Sequence, residues 1–407
     1  MRSPRITVAL VVSAGVLLVS IGNATSFVIP TDEVLARQAP VIAEVAVMSV
    51  SPSPAEGAPS TDYIVLVERL LKGRIAGTSV VVRVPGGLGA DGIGLKVHGA
   101  PVFREGERLL LFLAAREDGA YGVLHLGLGA FHQLTAEVGG EVRLVALRRL
   151  IGSVDADRGS ELIDAPRDWQ EFASWLADTS SAGRPLADYF RGADEVDLSG
   201  LPVEVERLPI AWAGFAQGRT VRWRSPAVGV PGRQWLRRAL DSWNSSADSS
   251  VRLRPSKASR PVGGMLRPDG VNDVVLGDPG DLIAGSFSCR RGGVAAVSVT
   301  WFDPGVTFRF QTGADGVAIR AQEAEIVLND GVECLLRRAG GSFAGGILTH
   351  ELGHTLGLEH SNEPDSSMFP VVLGRSEPAR VNAEEQSRLE FLYPLKLSEE
   401  SREATGN

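Results

Sequence analysis

Short apolar runs separated by glycine- and proline-rich turns fill the stretch from about residue 38 to 150. Val41 to Val50, Tyr63 to Leu70, Ser79 to Val84 and Leu109 to Leu113 are rich in Val, Leu and Ile, with turns such as Pro85-Gly86-Gly87 and Glu117-Asp118-Gly119 between them. That pattern predicts strands, and shorter ones follow at Val123 to Leu126 and Val142 to Ala146. No helical period interrupts them, so a small antiparallel barrel or sandwich is expected here. Further on the pattern changes. Asp168-Trp169 through Leu176 reads as one amphipathic helix and Ser180 to Pro185 as a loop. From about 206 the periods are mixed. Val221 to Trp223, Asp273 to Leu276, Val294 to Val299 and Glu325 to Leu328 read as strands. Gln234 to Trp243 reads as a helix with Trp235, Ala239 and Trp243 on one face, and a second helix is expected from about Phe343 to Leu356. The last helix opens with Asn382 and Glu385 in capping-box register and stops before Pro394.

A chain of 407 residues exceeds one ordinary core, so an α+β protein of two domains is expected. The expected divisions are a leader at 1–24, an all-β unit at 25–150, a partly helical connector at 151–205, a mixed domain at 206–396 and a disordered tail at 397–407. The leader is read from Arg2 and Arg5, the apolar run Ile6 to Ile21, and Gly22-Asn23-Ala24 at the cut. The other reading is an uncleaved anchor, for which this run is short of the roughly 20 residues a bilayer requires. Export to the extracellular or periplasmic space follows, with the leader as the one expected membrane contact. Net charge of −8 disfavours nucleic acid as a partner, and a monomer is expected. The two cysteines, Cys289 and Cys334, read either as one disulfide or as two buried thiols.

Three of the six histidines fall within eleven residues, in His350-Glu351-Leu352-Gly353-His354-Thr355-Leu356-Gly357-Leu358-Glu359-His360. On a helix, His350 and His354 project from one face and can hold two corners of a zinc tetrahedron. Glu351 leans to the open side, within reach of a water. Gly357 can take the left-handed conformation that ends a helix, so that His360 swings round as the third ligand. Three protein ligands and one open position are the mark of a catalytic zinc rather than a structural one. The remaining histidines, His98, His125 and His132, read as ordinary surface or hydrogen-bonded residues.

This eleven-residue pattern resembles the metzincin signature, and Ser361 after the last histidine is similar to the matrixin branch, including its bacterial members. Ser367-Met368-Phe369-Pro370 resembles the methionine turn of that family, in which Met368 is an apolar floor beneath the histidines. The resemblance implies a metzincin-like domain, a twisted mixed sheet with an active-site helix and a C-terminal helix. It also implies a secreted zinc-dependent endopeptidase acting on proteins or peptides, in which a water on the zinc is activated by Glu351. Gly293 to Val299 with Asp303-Pro304-Gly305 looks like the edge strand and its following turn, on which extended substrate is added as a strand. Ala324 to Asp330 looks like the next strand. Departures are clear: no histidine lies between His132 and His350 to build a second zinc site, and no cysteine precedes Cys289 to block the first. Asp269, Asp273, Asp278 and Asp281 read either as solvated loop acids or as oxygen ligands for calcium. A zinc-binding protein without catalysis is the rival reading, against which Glu351 stands. A fold of the N-terminal unit over the cleft, holding the enzyme latent, is a further expectation.

Overall fold

The computed structural model describes residues 26–138, 140–149, 164–182, 188–191, 208–224, 229–256, 267–310, 316–337, 341–361, 363–370 and 381–395. The expected leader and tail therefore lie outside the described residues. The chain is α+β and builds two sheets. Strand β1 (Ser26–Val28) and helix α1 (Asp32–Gln38) lead into β2 (Val41–Pro52), β3 (Ser60–Lys72), β4 (Ser79–Pro85), β5 (Gly87–Leu88) and β6 (Gly94–Val97). Then come β7 (Arg108–Ala115), β8 (Tyr121–Val123), β9 (Ala130–Val138), β10 (Glu141–Leu147), β11 (Arg167–Asp168) and α2 (Trp169–Ala182). The remainder is β12 (Ile210–Ala211), β13 (Val221–Arg224), α3 (Gly229–Asn244), β14 (Leu253–Pro255), β15 (Asn272–Leu276), β16 (Gly293–Arg309), β17 (Val317–Leu328), α4 (Glu333–Leu336), α5 (Ser342–Thr355) and α6 (Ala383–Leu392).

The first sheet closes on itself. β7 pairs β2, β2 pairs β3, β3 pairs β4, β4 meets β8, and β8 returns to β7, making a five-stranded barrel with β9, β10 and β11 continuing from β7. Closure removes the edges that an open sheet of this size would expose. The expected strand at Val123 to Leu126 is shorter: β8 ends at Val123, and a 3-10 turn takes over at Leu126, whose φ of 54° is incompatible with a strand. α2 runs on to Ala182, past the expected loop start at Ser180. Its Trp169, Phe172 and Leu176 are buried with Leu35, Ile42, Phe112 and Phe131, so helix and barrel share one core.

The second sheet is mixed, ordered β14-β13-β15-β17-β16-β6-β5, with β1 also on β16 and β12 on β17. Three of its strands, β1, β5 and β6, come from the first hundred residues. Gly293 to Trp301 is buried throughout, which explains its unbroken apolar run: a strand covered on both faces loses the alternation of a half-exposed one. On one face Ala295 and Ala296 join Trp243, Leu348, Leu352 and Met368. On the other, Val297, Val299 and Trp301 join Val45, Val65 and Leu111 of the barrel. Asp303-Pro304-Gly305 does not end the strand as expected. The register slips there, from Phe302 opposite Ala321 to Thr307 opposite Ile319, and β16 continues as a bulged strand. Cys289 and Cys334 form a disulfide. In the chain-entropy model, closing the loop between two cysteines 45 positions apart stabilises by about 4 kcal/mol.

Candidate metal centre

Helix α5 is buried along almost its whole length, so its polar groups must find partners inside the protein. They do. Trp243 Nε1–H donates to Thr349 O at 2.7 Å, Trp212 Nε1–H to Thr355 O at 2.8 Å, and Tyr393 Oη–H to Leu356 O at 2.8 Å. These three aromatic donors come from α3, from the loop after β12 and from the end of α6, and they pin the helix and its last turn. Gly357 ends it at φ 85°, where a Cβ would also stand 2.8 Å from Ile210 O.

His350, His354 and His360 converge, each offering one ligand atom, with all three atoms within 4.8 Å of one another. Ring centroids lie 4.5 Å apart for His350 and His354, and 5.1 Å from each of these to His360. The orienting contacts are backbone carbonyls. His350 Nδ1 is 2.8 Å from Ser367 O, and His354 Nδ1 is 2.7 Å from Leu358 O. A carbonyl only accepts, so both Nδ1 atoms carry the proton and both Nε2 atoms carry a lone pair. Yet those two Nε2 atoms face each other at 2.8 Å. A proton or a metal ion must lie between the two nitrogens at that separation, and the donor set of three histidines suits zinc. Burial agrees with neutral rings: it drives His350 down to about 4 and His354 well below its ordinary value.

Glu351 is fully buried beside this cluster, and burial pushes its carboxyl up to about 7. Its Oε1 accepts from the Ser26 backbone N–H at 2.9 Å, and hydrogen bonds from Ser26 and Ser298 offset part of the rise that burial causes. Met368 is buried under the helix: a Cβ on Gly353 would stand 2.3 Å from its Sδ and 2.6 Å from Trp243 Cζ2. The methionine turn is itself tied down by Glu385, whose Oε1 accepts from Ser366 Oγ at 2.6 Å and Met368 N at 2.8 Å. The same carboxylate completes the α6 capping box through Asn382 N.

The chain matches the matrixin family over residues 302–394. That segment is matrixin-like. Over 48 residues the chain is 44% identical to the matrilysin of Felis catus, a stretch that is 12% of this chain and 18% of that protein. The chain thus spans about a fifth of that relative's length. Metalloproteinase-II from Bacteroides fragilis, a solved structure, covers 86% of this chain and 88% of its own at 11% identity, but the TM-score of 0.25 lets it carry no argument.

The three histidines converge as described, and three further residues reach the cluster that the spacing did not indicate. Ser26 touches Glu351. His98, expected at a surface or in an ordinary hydrogen bond, is buried and stacks on His354 at 5.1 Å between centroids. Lys96 Nζ pairs with Glu359 at 2.8 Å, two residues before Ser361. His125 and His132 are also buried, in the barrel unit. Of the four aspartates, Asp273 pairs with Arg224, Asp278 accepts from Ile283 N, Asp281 pairs with Arg116, and Asp269 accepts from Val271 N. Among the described residues, the three histidines are the one grouping with metal-ligand spacing. No helix among the described residues is long and apolar enough to cross a membrane.

Proposed function

We propose that the chain is an exported zinc endopeptidase in which His350, His354 and His360 hold the metal and Glu351 is the catalytic base. The single observation that carries this is the convergence of three buried histidine ligand atoms within 4.8 Å of one another, with a buried carboxylate alongside. Zinc bound there supplies Lewis-acid chemistry, polarising a carbonyl and bringing a water's pKa to about 7. Glu351 takes the proton from the attacking water and delivers it to the departing amine. Extended substrate adds to β16 by main-chain hydrogen bonds. Gly357 lets the third histidine return, and Met368 floors the cluster.

The finer points belong to the same reading. The leader is removed after Ala24, the product works outside the cytoplasm as a monomer on protein or peptide substrates, and calcium at the aspartate-rich loops is a second cation to test. The domain division at 25–150, 151–205 and 206–396 is likewise proposed. The test is Glu351→Gln: zinc content stays at the wild-type level while kcat/KM for a quenched peptide falls about 10²- to 10⁴-fold. Cleavage by that variant at the wild-type rate would remove Glu351 from the mechanism.

A further inference from the structure

Two of the three metal ligands depend on one short loop. His354 is oriented by Leu358 O, and His360 follows two residues later, so both rely on where the chain lies after Gly357. His350 is secured from elsewhere, by Ser367 O in the turn that Glu385 holds. The ends of the loop are tied: Leu358 is buried in the core with Trp243 and Leu352, and Ser361 N–H donates to Met368 O at 3.0 Å. Between them stands Glu359, a buried carboxylate, and a buried charge needs a partner. That partner comes from 263 positions away. Lys96 Nζ meets Glu359 Oε1 at 2.8 Å, with the two side chains 27% and 10% exposed, so water screens the pair only in part.

The alternation of β6 puts Lys96 there. Leu95 and Val97 are buried in the core shared with the barrel, which turns Lys96 and His98 to the opposite face. On that face His98 lies flat against His354, with 5.1 Å between ring centroids and 16° between planes. Its backbone N–H donates to Ser298 O at 2.9 Å. The register that delivers both side chains is fixed against β16, with Thr300 opposite Lys96 and Val299 opposite Val97. At the start of β6, a Cβ on Gly94 would stand 2.3 Å from Cζ of Phe302. A slip of one residue would put a side chain in that space and turn Lys96 and His98 into the apolar core.

We propose that Lys96 and His98 are positioning residues of the metal centre, resting on the zinc site proposed above. His98 holds the ring plane of His354, and Lys96 holds the loop that carries Leu358 O and His360. An imidazole has a broad torsion about its Cβ–Cγ bond, so its angle is set by what lies against it. A metal binds most tightly where its ligands already point at it, because ordering loose side chains opposes binding. Neither residue is a ligand; both act through His354 and His360. Metal affinity is thus set partly by residues far outside the eleven-residue pattern.

The test is zinc affinity of the chelator-treated full chain, measured by competition with a chromophoric chelator. It is expected to fall about 10- to 100-fold in His98→Ala and in Lys96→Met. His98→Phe keeps a flat ring against His354 and is expected to stay near wild type. Adding Glu359→Gln to Lys96→Met costs little more, since the pair acts as a unit. In the Co(II)-substituted protein the visible bands report ligand geometry, which a loss of fold stability alone does not move. Those bands shift in His98→Ala and return in His98→Phe. Wild-type affinity and bands in His98→Ala and Lys96→Met overturn the proposal, as does a His98→Phe protein as weak as His98→Ala. Should His98→Ala not fold, Lys96→Met decides alone, and affinity equal to wild type overturns it. Zinc affinity that follows these substitutions in a chain that cleaves no peptide keeps the positioning role and sinks the peptidase reading. Cleavage abolished by Glu351→Gln, with zinc affinity indifferent to Lys96 and His98, does the reverse.

Discussion

Gly353 has no side chain because it has no room for one. It lies on the face of α5 that packs on Met368 and Trp243, and a methyl group there would meet both within 2.6 Å. Gly353→Ala is expected to lower stability by about 1–3 kcal/mol through overpacking and to shift the histidines on either side. Thermal unfolding reads the first effect and zinc affinity the second; an unchanged melting temperature contradicts the packing account. Glu325 offers a different test. It is buried, it accepts from Trp301 Nε1–H at 3.0 Å, and burial together with neighbouring Glu323 pushes its carboxyl up to about 10. The folded state holds a proton that the unfolded chain releases above about 4.5, so the stability this acid contributes is full below that pH. It is lost as pH rises towards 10. Glu325→Gln is expected to stabilise by up to about 3 kcal/mol at pH 7, with the gap closing near pH 4.5. Equal melting temperatures at pH 7 contradict it.

The elements divide by how local their causes are. The capping box at Asn382 and Glu385, the glycine that ends α5 and the apolar runs of β2, β3, β7 and β16 were legible because the information lies within a few residues. The second duty of Glu385, holding the methionine turn, was not legible, since it depends on a loop brought up from seventeen residues away. β1, β5 and β6 carry too few residues for any periodicity to register. Their place is set by the unsatisfied edge of β16, which no local pattern reports. The bulge at Asp303-Pro304-Gly305 looked like a strand end for the same reason: proline and glycine mark a break in the ladder, and only the partner strand decides whether pairing resumes.

At the scale of the whole molecule, the candidate site was legible from its three histidines and glutamate, while its surroundings were not. The ligand spacing is a property of one helix and one turn. The contacts from Ser26, Lys96 and His98 depend on how the barrel seats on the second sheet. That seating buries Val297, Val299 and Trp301 against barrel residues, so barrel and second sheet share a core. The claim on which the rest depends is that the three imidazoles bind one metal ion, and it does not depend on whether the cleft is open. Zinc titration of the chelator-treated full chain by calorimetry tests it directly. One tight site per chain is expected, lost in His354→Ala and retained in Glu351→Gln. Zinc binding that is absent, or that survives His354→Ala undiminished, contradicts it.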